Sequence, residues 1–139
     1  SKAWGLAAAR VGMAYSNELI ISLYNKVKPP YNVSKPNQNA ALKALEDVAG
    51  FEKRKSTILG QRTWLQNQLA GLDVILKIYP SDANFLLVEM TDANRIYNEL
   101  VKQKVITRNR HSVVENCIRV TVGSPEENQI LVGALKKIL

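Results

Sequence analysis

Near the end of the chain an alternating run, Ile118-Arg119-Val120-Thr121-Val122, passes through Gly123 into Ser124-Pro125-Glu126-Glu127. Period-two alternation sends Ile118, Val120 and Val122 to one side of a strand and Arg119 and Thr121 to the other. The Ser-Pro-Glu-Glu sequence is a capping box with proline at the first helical position, so a helix follows at once. Its predicted core stripe is Ile130, Leu131, Ala134, Leu135 and Ile138. A one-sided strand feeding directly into a one-sided helix fits a layered unit with helices against a sheet. It also aims Arg119 away from the apolar layer.

The preceding segments extend that pattern. Ser1 to Gly12 is dominated by small residues and reads as a loop or tight turn running into a short strand, Arg10 to Tyr15. Ser16 is placed to cap a helix over Asn17 to Lys28, which Pro29-Pro30 must end because neither ring leaves an amide to continue it. Helix resumes near Lys35, with Pro36 in its first turn, and continues past a break near Ala49-Gly50 into a second long helix. That helix carries Ile58, Leu65, Leu69 and Leu72 on one stripe. Branched and aromatic residues predict strands over Val74 to Tyr79 and Phe85 to Met90, with Pro80-Ser81-Asp82 as the turn between them. A helix over Asp92 to Lys104 and strands around Val105 to Arg108 and Ile118 to Val122 complete the order. The prediction is a small α+β unit from about Ser34 onward, with helices on one face of a short, mainly antiparallel sheet.

Composition narrows the function classes. The 139 residues hold one ordinary domain or part of a larger one, and a 46% hydrophobic share excludes a disordered chain. No apolar run approaches the roughly 18 residues of a membrane span, so no membrane partner is expected. The lone Cys117 cannot form an internal disulfide framework, which suits the cytoplasm. The chain begins Ser1-Lys2 without an initiator methionine, as a piece of a longer protein would. Nineteen Lys and Arg against 12 Asp and Glu give +7, which favours anionic partners without choosing among them. The run Arg108-Asn109-Arg110-His111 lacks the interleaved aromatics of a nucleic-acid site, and no nucleic acid is expected as partner.

A few side chains carry chemistry. Lys2, in its small-residue loop, is either a solvated charge or an amine that a flat carbonyl cofactor can approach. Arg10 is either a surface ion-pair partner or a bidentate phosphate ligand. His111 has no partner at metal-ligand spacing and reads as a solvated loop histidine, and no metal is expected. Cys117 reads as a small core residue, and Trp4 and Phe51 as packing aromatics.

Ser1-Lys2-Ala3-Trp4-Gly5-Leu6-Ala7-Ala8-Ala9-Arg10-Val11-Gly12 resembles the cofactor-lysine segment of fold-type I, pyridoxal-phosphate-dependent aminotransferases. Lys26 to Ser34, Ser81-Asp82-Ala83-Asn84-Phe85, Ile106 to Arg110, Cys117 to Gly123 and Pro125 to Asn128 resemble successive landmarks of the histidinol-phosphate aminotransferase family, in its order. Ala8 and Ala9 depart from the family's usual glycine and large apolar residue.

The resemblance implies the C-terminal portion of such an enzyme, α/β overall when intact. Residues 1–33 would be the remnant of its large cofactor domain and 34–139 its small C-terminal α+β domain. It implies pyridoxal 5′-phosphate as cofactor, held covalently by Lys2, which would also move the substrate proton. That role needs an amine able to lose its charge, as desolvation and a nearby cation promote. Arg10 would hold the cofactor phosphate and Arg119 the carboxylate of the amino donor. Arg108, on a looser match, would join Arg119 on the substrate phosphate. Tyr31 and Asn32 fall at an active-site edge but are as well explained as a turn after the Pro-Pro stop.

The implied reaction moves an amino group between glutamate and imidazole acetol phosphate, with histidinol phosphate and 2-oxoglutarate on the other side, in a cytoplasmic homodimer. The cofactor's ring partners lie upstream in the family, so the isolated chain is expected to be inactive. The alternatives are an aminotransferase of other specificity, a related decarboxylase, or a basic nucleic-acid-binding module.

Overall fold

The computed structural model describes residues 4–138. The chain divides into two compact units, residues 1–55 and 56–139.

In the first unit the alanine run winds into a short 3-10 turn, Ala7–Ala9, and Arg10 closes it in the left-handed conformation. The strand predicted from Arg10 to Tyr15 does not form. Alanines favour helical turns, and no neighbouring strand is available among the described residues to pair with this segment. Helix α1, Glu18–Val27, is capped by Asn17 rather than Ser16: the Asn17 side chain accepts the Ile20 N–H at 3.0 Å. Ser34 caps α2, Lys35–Glu46, with Pro36 in the first turn. Asp47 makes the break before α3, Val48–Ala70. Its carboxylate accepts the Gly50 N–H at 3.0 Å and pairs with Arg54 at 3.2 Å. Neither α1 nor α2 buries a residue.

The second unit has the α+β architecture the patterning predicts. Strands β1 (Ile75–Ile78), β2 (Phe85–Met90), β3 (Arg108–Asn109) and β4 (Cys117–Thr121) form one antiparallel sheet in the order β1-β2-β4-β3. Leu86, Val88, Met90, Ile118 and Val120 line its inner face. The C-terminal part of α3 covers that face with Leu65 and Leu69. Helix α4 (Ala93–Lys102) contributes Ala93, Ile96 and Leu100, and α5 (Pro125–Lys136) contributes Leu131, Val132 and Leu135. This layer is the core.

The third strand and the core stripe of α5 differ from the sequence reading. The third strand lies at Arg108–Asn109 rather than Val105 to Arg108, because residues 103–105 close α4. Lys104 adopts φ 62°, its N–H bonds the Val101 carbonyl, and the Val105 N–H reaches back to the Leu100 carbonyl. Ile130, placed on the core stripe of α5, is exposed, while Asn128 and Val132 are buried in its stead. The predicted capping box at Ser124 is complete, with the Glu127 carboxylate accepting the Ser124 N–H at 2.8 Å.

Candidate functional site

Alternation along β2 and β4 leaves one face of the sheet outside the core. On it Phe85, Leu87 and Glu89 stand opposite Thr121, Arg119 and Cys117. Arg108 of β3 is the register partner of Arg119, so both arginines rise from the same face side by side. Like charges directly opposite repel, and an anion between them or a carboxylate close by relieves that repulsion. Among the described residues the ion pairs join Arg54 to Asp47, Lys55 to Glu52 and Lys102 to Glu99, and neither Arg108 nor Arg119 has a carboxylate within 4.0 Å. The Arg119 guanidinium carbon sits 4.9 Å from the centroid of the Phe85 ring, and its Nε is buried without a hydrogen-bond partner. Arg108 is exposed. The pair is chemically suited to a multivalent anion arriving over the sheet.

The same face carries its one described carboxylate, Glu89, toward the β1 edge. Glu89 is the register partner of Lys77 and accepts the Tyr79 hydroxyl proton at 3.0 Å. The Lys77 ammonium lies 4.6 Å from the Tyr79 ring centroid. That hydrogen bond to Glu89, aided by burial, raises the Tyr79 phenol above its ordinary range. Burial, then the Glu89 charge, pushes the Cys117 thiol up, so Cys117 is the inert buried residue that its sequence context predicts.

The β3–β4 connection is tightly bonded. The Asn109 side chain donates to Asn94 at 2.8 Å and accepts the His111 N–H at 2.9 Å, and His111 Nδ1 accepts the Asn116 N–H at 3.1 Å. His111 is therefore a half-buried turn residue rather than a solvated one, and it fixes the loop after Arg108.

Of the other sequence-predicted residues, Lys2 lies outside the described residues. Arg10 belongs to the first unit, where it is exposed in the left-handed region at φ 51°. Tyr31, also left-handed at φ 57° and 98% exposed, and Asn32 line a cavity of about 610 Å³ with Lys28 and Gln38. Trp4 and Phe51 stack on one another, centroids 4.1 Å apart. The structure thus brings Arg108 and Arg119 together, within the second unit. No group of three or more potential metal ligands occurs among the described residues, and none of the described helices is long and apolar enough to cross a membrane.

Sequence reasoning missed Phe85, Tyr79 and Glu89 as members of this face. The period-two rule that oriented Arg119 applies equally to Phe85-Leu86-Leu87-Val88-Glu89, and would have found two of them.

A family model described as aminotransferase class I and II matches residues 1–135. The chain is 46% identical over 138 residues to the histidinol-phosphate aminotransferase of Cytophaga hutchinsonii, covering 98% of this chain and 40% of that protein. It is 46% identical over 139 residues to the enzyme of the same name from Bacteroides thetaiotaomicron, covering 99% and 40%. The chain therefore spans about 40% of the length of the curated relatives it matches. Among solved structures, a decarboxylase from Sulfurospirillum multivorans aligns with a TM-score of 0.81 at 25% identity, over 97% of this chain and 40% of that one. The histidinol-phosphate aminotransferase from Sinorhizobium meliloti, solved in complex with pyridoxal-5′-phosphate, aligns with a TM-score of 0.77 at 22% identity, over 100% and 40%, a likeness of fold.

Proposed function

This chain belongs to the class I and II aminotransferase family, and from that premise we propose that it forms part of a pyridoxal-phosphate-dependent histidinol-phosphate aminotransferase. The intact enzyme exchanges an amino group between glutamate and imidazole acetol phosphate, in histidine biosynthesis. The observation that carries this reading is the register pairing of Arg108 with Arg119, two guanidinium groups side by side with no carboxylate to neutralise them. Such a pair fits a substrate bearing a phosphate and a co-substrate bearing carboxylates. The relatives at 46% identity bear the name of that enzyme.

In this reading Arg119 binds the carboxylate of glutamate or 2-oxoglutarate. Arg108 joins it on the phosphate of histidinol phosphate, so one pair serves both half-reactions. Arg10 is an exposed cation with no carboxylate within 4.0 Å among the described residues, which suits a phosphate ligand. With Lys2 it would hold pyridoxal phosphate, which when bound supplies an electron sink for the carbanion formed at the substrate Cα. The Lys2 amine, once neutral, would take up the substrate Cα proton and pass it to the cofactor rather than back to Cα. A surplus of +7 draws all three anions toward the site. Residues 1–33 belong to the large cofactor domain and 34–139 to the small domain of a cytoplasmic homodimer, and the rest of the cofactor site comes from the remainder of the protein.

Steady-state comparison of histidinol phosphate, histidinol and phenylalanine on the intact enzyme tests the specificity. The phosphorylated amine is the preferred substrate, by at least about a hundredfold in kcat/KM, the worth of one charge-assisted contact pair. Equal use of histidinol contradicts the role given to Arg108. The likeness to a decarboxylase at 25% identity keeps a second reaction of the same cofactor class in view. Release of carbon dioxide in place of amino transfer to 2-oxoglutarate would identify it.

A further inference from the structure

Arg119 stands directly opposite Leu87, with two residues of β2 at the diagonal positions, Phe85 on one side and Glu89 on the other. Both are within reach of a long side chain. Their consequences are opposite. An aromatic face holds a guanidinium while leaving its N–H donors, which lie in the plane of the group, open to a ligand. A carboxylate takes those donors bidentately and leaves the arginine neutralised.

The arginine lies on the Phe85 side, 4.9 Å from the ring, and its buried Nε retains an unused donor. Glu89 leans the other way, bonded to Tyr79 at 3.0 Å and facing Lys77. The start of β2 is fixed independently. The Ser81 hydroxyl donates to the Phe85 carbonyl at 2.6 Å and accepts the Ala83 N–H at 3.2 Å, while the Asn84 carbonyl accepts the Val122 N–H at 2.9 Å.

We propose that Phe85 and Tyr79 are positioning residues for Arg119: Phe85 cradles the guanidinium, and Tyr79 holds the Glu89 carboxylate away from it, so that the arginine reaches the substrate anion unpaired. This rests on the reading of Arg119 as the carboxylate and phosphate ligand, and the test separates the two claims.

The first arm uses the intact enzyme labelled with 15N-arginine, with the Arg119 Nε–H signal assigned by its loss in Arg119→Lys. Ring-current shielding displaces that signal from those of the other arginines, Phe85→Leu abolishes the displacement, and Phe85→Tyr preserves it. A signal indifferent to Phe85→Leu overturns the cradle whatever the enzyme does.

The second arm uses the intact enzyme with histidinol phosphate and 2-oxoglutarate. Phe85→Leu and Tyr79→Phe each raise both KM values about fivefold, with kcat held within about twofold, as loss of one cation–π contact or gain of one competing ion pair implies. Phe85→Tyr restores the wild-type KM. Tyr79→Phe combined with Glu89→Gln also restores it, because the released competitor is then uncharged. A double variant no better than Tyr79→Phe overturns the role of Tyr79. Phe85 and Tyr79 variants with altered Arg119 signals but unchanged KM values leave the cradle standing and count against Arg119 as the substrate ligand.

Discussion

Asn128 is the buried polar side chain of the described core, at the junction of β4 and α5. It accepts the Gly123 N–H at 3.0 Å and donates to the Gly123 carbonyl at 3.1 Å and to Gln61 at 2.9 Å, so one amide ties the strand end to α3. Asn128→Ala leaves those groups unpaired inside the protein and costs about 2 kcal/mol of stability, measured by urea unfolding. A loss below about 0.5 kcal/mol, the range of ordinary surface changes, contradicts the bonding described. Tyr79 gives a pH test. Its phenol is raised in the folded chain, chiefly by the hydrogen bond to Glu89. Its contribution to stability is therefore complete below the ordinary value of 10.0 and lost as pH rises through the folded value. Spectroscopic titration should show the Tyr79 phenol titrating late, and closer to its ordinary range in Glu89→Gln. At this scale the sequence revealed charge and polarity but not partners. Arg119 could be aimed by alternation, whereas the placement of Glu89 against Tyr79 depends on a bulge between Ile75 and Lys77 in β1.

Among the elements, the closure of α4 shows where local patterning reaches its limit. Val105 has the side chain of a strand residue, yet its N–H is taken by the Leu100 carbonyl and Lys104 occupies the left-handed position usually given to glycine. Lys104→Gly removes the steric cost of that conformation and is predicted to stabilise the chain by about 0.5–1 kcal/mol, read as a rise in the unfolding midpoint. Destabilisation would mean that the lysine side chain contributes more than its backbone costs. Elements whose signals are local were legible. The capping box at Ser124, the helix after Ser34 and strand β2 follow from caps, proline and branched residues. The segment from Arg10 to Tyr15 was not, because a strand exists only with a partner, and pairing is invisible in a local window.

For the molecule as a whole, the two units differ in what they bury. The second has a continuous core under its sheet. In the first, α1 buries nothing, and Leu19, Leu23, Tyr24 and Val27 are exposed large apolar residues along its length. In a chain spanning 40% of its relatives' length, such surface fits the proposal that residues 1–33 pack within a larger domain. The resemblance read from the sequence and the family match agree on the family. Lys2, to which the resemblance gives the cofactor, lies outside the described residues. The proposed cofactor chemistry depends most directly on that lysine. Intact protein should be loaded with pyridoxal phosphate, reduced with borohydride and mapped by peptide mass spectrometry. A single phosphopyridoxyl group on Lys2, absent from Lys2→Ala, is the predicted result. Covalent cofactor retained by Lys2→Ala, or found on another lysine, would contradict it.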